Sequence, residues 1–422
     1  MRLALALIIA LTTTPAAAQD ADPRAVAASV AQRIRDLYFD ANRGDEIANG
    51  LEAASKSGAF DQLTDPRDLA AALTTRLKPL DAHFNVVFDP NAPSGPGPAG
   101  QPAMRPPAGP NPMERASHFG FRRAEILPGN VGYIELRQFS DINFENPDDP
   151  ARQAADAALN FVDDADAVIF DLRDNGGGAP SMVGYLSSAF TPADANIYNV
   201  FHNRQGVRHE APAVFHPSPR LDVPVYILIS ARSGSAAEAF PYTLQSAGRA
   251  VIIGERSGGA ANPGGMVPAG DGFSIFVSSG SPINPITGTN WEGVGVEPDI
   301  PVPSADALAR AHAEALRAIL SSDPMRRDAE WALQALQPTP VVDLTDFAGV
   351  YSDRTVVVVQ DTLHVLAGRR PPVVLAPLGD DLFTVVGDPS RRYQFSRDGA
   401  GRVIAFDAVS LGGPGQRARR TD

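Results

Sequence analysis

The chain has 422 residues, no cysteine and a formal net charge of −13. The missing cysteines exclude a disulfide, a thiol nucleophile and a lipid anchor at a leader cleavage site. The acidic balance argues against a nucleic-acid partner, which needs clustered Lys and Arg, and a length near 400 residues calls for two or three domains.

Met1 to Ala18 reads as a secretory signal peptide: Arg2 is the positive end, Leu3 to Leu11 the apolar stretch, and Ala16-Ala17-Ala18 the small-residue cleavage site. No later run approaches the ~20 apolar residues of a membrane span. A secreted or periplasmic protein is expected.

Residues 19–88 read as a helical domain. Val26, Val30, Ile34 and Leu37 form one helical stripe, Ile47, Leu51 and Ala54 a second, and Leu69, Leu73 and Leu77 a third that starts near Asp65-Pro66. The segment ends in Asp81-Ala82-His83 and a short strand-like stretch to Phe88. A histidine there is ordinarily a surface or capping residue, although its imidazole titrates in the range of a general base. Residues 89–116, rich in Pro, Gly and Ala, read as a linker or flap with no fixed structure.

From residue 117 to 338 the pattern is α/β. Phe119 to Ile126 and Val131 to Leu136 are strands joined across Pro128-Gly129-Asn130. Arg152 to Phe161 is a helix, and Ala167 to Leu172 a buried strand that ends in Asp174-Asn175-Gly176-Gly177-Gly178. Three glycines between a strand and a helix permit close approach to a ligand. Without the phosphate-loop or dinucleotide spacing, an oxyanion hole built from the N–H groups of Gly176 and Gly177 fits better than a phosphate cradle. A tight structural loop is the plainer alternative.

Val225 to Ile229 is a strand of the doubly buried kind and is followed by Ser230-Ala-Arg-Ser-Gly-Ser235, a helix over Ala236 to Ser246, and a strand over Ala250 to Gly254. Ser235 therefore stands at a helix N-terminus, where free N–H groups and the helix dipole favour a developing oxyanion, with Ala236 N–H as a donor. Ser235-Ala-Ala-Glu238 also spells a capping box, in which the same serine is only a cap. His202 and His209 flank a polar turn where a zinc site is conceivable, but neither a His-Glu-x-x-His motif nor a cysteine set accompanies them. No cofactor or metal is expected.

Helices follow at Ala305 to Leu320 and Met325 to Leu336. Residues 339–422 then change to short strands at Thr355 to Val359, Thr362 to Leu366, Pro372 to Leu375, Leu382 to Val386 and Val403 to Ala408: a small antiparallel β domain, with Arg417 to Arg420 as a solvated basic tail.

DLRDNGGG, SGSAAEAF, GRAVIIGERSGGAANPGG and NWEGVGVEPDIPV, in that order over residues 117 to 305, resemble the serine-peptidase superfamily of the carboxyl-terminal processing proteases, the tricorn core and interphotoreceptor retinoid-binding protein. The resemblance implies a crotonase-like β-β-α spiral, Ser235 as nucleophile, and an oxyanion hole from Gly176 or Gly177 and Ala236. Asn262-Pro263-Gly264 would border the substrate groove. Processing proteases carry a lysine where this chain has Ala260, and no PDZ domain is evident. Arg256 cannot take over as base, since a guanidinium keeps its proton near neutral pH. The tricorn-like and retinoid-binding-like branches fit better: they place a histidine ahead of the core, here His83, and the tricorn-like branch a glutamate three residues before Gly-Val-x-Pro-Asp, here Glu292.

The reading that results is an exported serine peptidase without a cofactor, acting on peptides or partly unfolded proteins, with Ser235, His83 and Glu292 as its catalytic set. A homo-oligomer is left open. The rival is a non-catalytic protein binding apolar ligands or peptides on the same scaffold. An esterase or amidase is a third reading, disfavoured because Gly-x-Ser-x-Gly is absent around Ser235.

Overall fold

The computed structural model describes residues 21–91, 112–337, 339, 343–379 and 381–422. The signal-peptide reading of residues 1–18 and most of the Pro/Gly-rich stretch, residues 92–111, lie outside them. The chain divides into two compact units, the first containing residues up to 105 together with His202–Gly206 and Asn262–Ser281.

The first unit begins with helices Pro23–Leu37, Ala41–Lys56 and Pro66–Leu77. Each opens on an aspartate whose carboxylate accepts first-turn N–H groups: Asp22 from Arg24 at 3.0 Å, Asp40 from Arg43 at 3.1 Å, and Asp65 from Arg67 at 2.8 Å. Proline occupies the first turn of the first and third helices, where its missing N–H has no partner to lose. Their buried stripes, including Val30, Ile34, Leu51, Leu69 and Leu73, share one core with Val267, Phe273 and Ile275.

Those last residues belong to a hairpin formed much later in the chain. Gly264–Gly270 pairs antiparallel with Phe273–Ser278, which in turn pairs with Val86–Phe88, Val86 facing Ile275. The helical segment is thus not a self-contained domain. Gly264–Gly270 carries three glycines and a proline, so it lacks a strand signal of its own; the ladder of its neighbour holds it extended.

The second unit is α/β. Its six-stranded sheet runs in the order Ile300–Pro301, Ala250–Gly254, Val225–Ile229, Ala167–Asp171, Val131–Leu136, Phe121–Leu127. All neighbours are parallel except the last pair, which is an antiparallel hairpin. Along the central strands Val168, Phe170, Ile227 and Ile229 pack with helices Pro150–Phe161, Pro180–Ser188 and Ala236–Ser246. The alternate residues Ile169, Tyr226 and Leu228 pack with helices Ala307–Ser322 and Arg327–Ala335. Helices on both faces explain why these strands read as continuous apolar runs.

Residues 349–419 form an eight-stranded antiparallel sheet in sequential order. Its first and last strands meet: Tyr351 bridges Arg420, the Ser352 N–H donates to Arg419 O and the Thr421 N–H to Val350 O, both at 2.9 Å. The sheet closes into an up-and-down barrel without free edges, filled by Tyr351, Leu363, Phe383, Phe395 and Phe406. The basic C-terminus is therefore not a solvated tail. Gly413–Arg419 is the last strand, with Arg417 Nη1 on Asp407 Oδ2 at 2.7 Å across the ladder. Another strand, Asp388–Arg397, pairs on both sides along its length; its polar alternate residues hid it from the hydrophobic pattern.

Candidate active site

In an open parallel sheet, ligands collect beyond the carboxyl ends of the strands. Two loops of this kind lie side by side here, after Ala167–Asp171 and after Val225–Ile229. In the first, Gly177 and Gly178 have φ of +115° and +142°. A Cβ at Gly178 would lie 2.0 Å from Phe139 O, and one at Gly177 would lie 2.7 Å from Ser235 Cβ and 2.8 Å from Gly234 O. Only glycine allows this loop to reach the serine turn.

Asn175 fixes the loop. Its Nδ2 donates to Leu136 O at 2.9 Å, its Oδ1 accepts the Gly177 N–H at 2.8 Å, and its backbone carbonyl accepts the Gly234 N–H at 3.2 Å. The Gly177 N–H, expected to serve an oxyanion, is thus taken up by Asn175 in this conformation. The N–H groups of Gly176 and Ala236 donate to no acceptor among the described residues, and the space where a Gly176 side chain would project is open.

Ser235 has φ +56° and ψ −120°, a backbone that L-residues rarely adopt. Its N–H donates to Glu238 Oε2 at 2.8 Å, so the carboxylate half of the capping box is in place. The hydroxyl also faces the Glu238 N–H as in a capping box, without forming a regular side-chain cap hydrogen bond. The fully buried Glu238 carboxylate also accepts Ser257 Oγ at 2.5 Å and the N–H groups of Gly259 at 2.6 Å and Ala260 at 2.9 Å. It thereby binds the serine turn to residues 257–260, where a processing protease would carry its lysine. Arg256 points away to solvent in an exposed pair with Glu297 at 2.5 Å.

The half-buried Glu292 accepts the Ala261 N–H on Oε2 at 2.6 Å and donates its own N–H to Asn290 Oδ1 at 2.9 Å. Nearby Asp299 accepts the Ile252 N–H at 2.7 Å and Gln245 Nε2 at 3.0 Å, which fastens the Pro298-Asp299 motif to the sheet and to the serine helix.

A separate polar cluster meets that helix at Thr243. Asn199 Nδ2 donates to Thr243 Oγ1 at 3.0 Å and to Glu210 Oε2 at 2.7 Å, and Asn284 Nδ2 donates to Asn199 Oδ1 at 3.1 Å. Glu210 is buried with Oε1 unpartnered among the described residues, and burial raises its carboxyl from 4.5 to about 7. The unfolded chain therefore gives up this proton near the lower value and the folded chain near the upper one. Stability is fully present below the unfolded value and falls as pH climbs through the window, by roughly 3 kcal/mol for this group alone. Urea midpoints measured from pH 4.5 to 7.5 should decline, and Glu210→Gln should flatten that decline.

His83 belongs to the first unit. The buried Asp81 accepts the His83 N–H on Oδ1 at 2.9 Å, and His83 Nδ1 lies 3.8 Å from the same oxygen with no hydrogen bond among the described residues. The ring stacks on Phe276 with centroids 5.4 Å apart. Asp81 Oδ2 further accepts Tyr38 Oη and Asn262 Nδ2, each at 3.2 Å. Asn262, expected beside a substrate groove, is buried against Asp81. Pro263 O accepts the N–H groups of Ser279 and Gly280, and Gly264 starts a strand where a Cβ would meet Val277 O at 2.1 Å. These three residues shape the first unit's hairpin. Of the organising groups, Asn175 carries no role in the sequence reading, and Asp81 figures there only as part of Asp81-Ala82-His83.

Residues 130–302 match the sequence model described as Peptidase family S41. A carboxyl-terminal-processing protease of Picosynechococcus is 29% identical over 175 residues, 41% of this chain and 39% of that protein. The Synechocystis protein of the same name is 30% identical over 152 residues, 36% of this chain and 33% of that one. Among solved structures, the photosystem II D1 C-terminal processing protease aligns with a TM-score of 0.39 and 16% identity, over 67% of this chain and 94% of that chain. Over residues 130–302 the chain is thus similar to the serine peptidases of this family, the carboxyl-terminal-processing proteases among them. It spans well under half the length of the two cyanobacterial relatives. Ser235, Gly176, Gly177, Ala236 and Glu292 fall inside the matched region, whereas His83 and the barrel fall outside it.

Proposed function

We propose that the chain is an exported serine peptidase that hydrolyses peptide bonds through an acyl-enzyme on Ser235. One observation carries the reading: a serine held at positive φ at a helix start, beside two backbone N–H groups that donate to no acceptor among the described residues. The crotonase-like spiral is part of the same proposal.

In this mechanism His83 takes the Ser235 proton as Oγ attacks the scissile carbonyl carbon. The carbonyl oxygen gains negative charge, which the N–H groups of Gly176 and Ala236 and the helix dipole stabilise. Collapse breaks the C–N bond, and His83 returns the proton to the leaving amine. Water then attacks the ester, again losing its proton to His83, and releases the new carboxylate and the free serine. Asp81 holds the His83 backbone, and Glu292 fixes a tautomer or orients the site through water. Peptides or partly unfolded proteins are the proposed substrates. No helix among the described residues is long and apolar enough to cross a membrane.

Fluorophosphonate labelling of the full chain tests the assignment. The wild type should label at Ser235, and His83→Ala should slow labelling by about 10²- to 10⁴-fold, the usual contribution of a general base. A folded wild type that takes up no label would instead support the binding-protein reading.

A further inference from the structure

The closed barrel holds a feature that peptide hydrolysis does not use. Because its strands alternate in direction, the turns at 352–353, 367–372, 386–387 and 411–412 gather at one end. There the turns at 352–353 and 367–372, with the strand ends beside them, line an open concavity of about 930 Å³, within the size range of small-molecule sites.

Its composition is divided. The inner part is formed by Val365 and Tyr393 of the barrel core, with Val373 and Ala408 packed against that core. The outer part carries Arg354, Arg369, Arg370 and Arg391, opposed among the lining residues by Asp353 alone. Arg354 donates to Gln416 Oε1 at 2.6 Å and lies 3.8 Å from Asp353, whose carboxylate is largely in solvent; Arg391 lies 3.9 Å from Asp388. The side chains of Arg369 and Arg370 form no ion pair or hydrogen bond among the described residues. They are carried on a turn closed by the Arg370 N–H to Ala367 O at 3.1 Å and stiffened by the two prolines that follow.

Four guanidinium groups in one concavity concentrate positive potential in a chain whose net charge is −13. A guanidinium presents a planar fork that matches carboxylate and phosphate oxygens in pairs. Eight-stranded barrels are wide enough to hold one small ligand at the mouth.

We propose that this mouth binds a small amphiphilic oxyanion, a carboxylate or phosphate monoester whose head lies among the four arginines and whose short apolar chain rests on Val365, Val373 and Tyr393. The site is independent of Ser235 and requires no peptidase activity.

Calorimetric titration of the full chain with octanoate and with octyl phosphate, each below its micelle concentration, tests this. At least one should bind saturably at one per chain, and the comparison identifies the preferred head group. Octylammonium should not bind. Arg369→Gln/Arg370→Gln, on an exposed turn, should weaken binding at least tenfold without moving the melting temperature. Absence of binding by both anions, equal binding of the ammonium, or unchanged affinity in the double variant would each overturn the proposal.

Discussion

Ser235→Gly should stabilise the protein by about 1 kcal/mol while abolishing peptide hydrolysis. Holding a non-glycine residue at φ +56° and ψ −120° costs on the order of 1–3 kcal/mol. Glycine relieves that strain and returns part of the gain through its freer unfolded chain, roughly 0.5–1 kcal/mol. Ser235→Ala keeps the strain, so its stability should stay within about 0.5 kcal/mol of wild type, while turnover falls by about 10⁴-fold or more with the nucleophile gone. A serine that merely capped its helix would give another order, with alanine costing about 1 kcal/mol and glycine a few tenths. Urea unfolding of both variants, paired with peptide hydrolysis, separates the two roles.

Glu238→Ala should be the most destabilising single change around the site, by about 3–5 kcal/mol. It removes the acceptor for the Ser235, Gly259 and Ala260 N–H groups and the Ser257 hydroxyl, leaving four donors in a buried place, each worth on the order of 1–3 kcal/mol when unsatisfied but partly able to relax. Glu238→Gln retains one acceptor oxygen and should recover part of the loss. Since the same carboxylate sets the Ser235 backbone, fluorophosphonate labelling should slow in both variants at temperatures where they remain folded. Wild-type stability in Glu238→Ala would show that the carboxylate carries no such burden.

Much of the second unit was legible in sequence because its signals are local. Val225 to Ile229 and Ala167 to Asp171 are continuous apolar runs, and the serine helix begins where the small residues end. The first unit's three helices announced themselves through apolar stripes and Asp caps. What stayed hidden depended on distant partners. Gly264–Gly270 is extended only because Phe273–Ser278 pairs with it, and Asn262, Pro263 and Gly264, expected at a groove, are committed to that hairpin and to Asp81. Gly176 and Gly177 looked equivalent until Asn175 was seen to engage one of them. In the barrel, Arg391 and Arg392 interrupt an apolar pattern that Tyr393 and Phe395 otherwise display, so the strand escaped notice. Arg392 itself is buried over Trp331, 4.2 Å from the ring centroid, where burial pulls its guanidinium down to about 10.

The interrupted path of the first unit has a consequence for biogenesis. Its three helices leave the ribosome early, yet Val267, Phe273 and Ile275, which complete their core, are translated some 190 residues after Leu77. At a synthesis rate of about 5–20 residues per second the helical segment waits roughly ten seconds or longer with apolar stripes uncovered. A chain in that condition remains pliable, and a nascent fragment ending before the hairpin is a natural client for a chaperone.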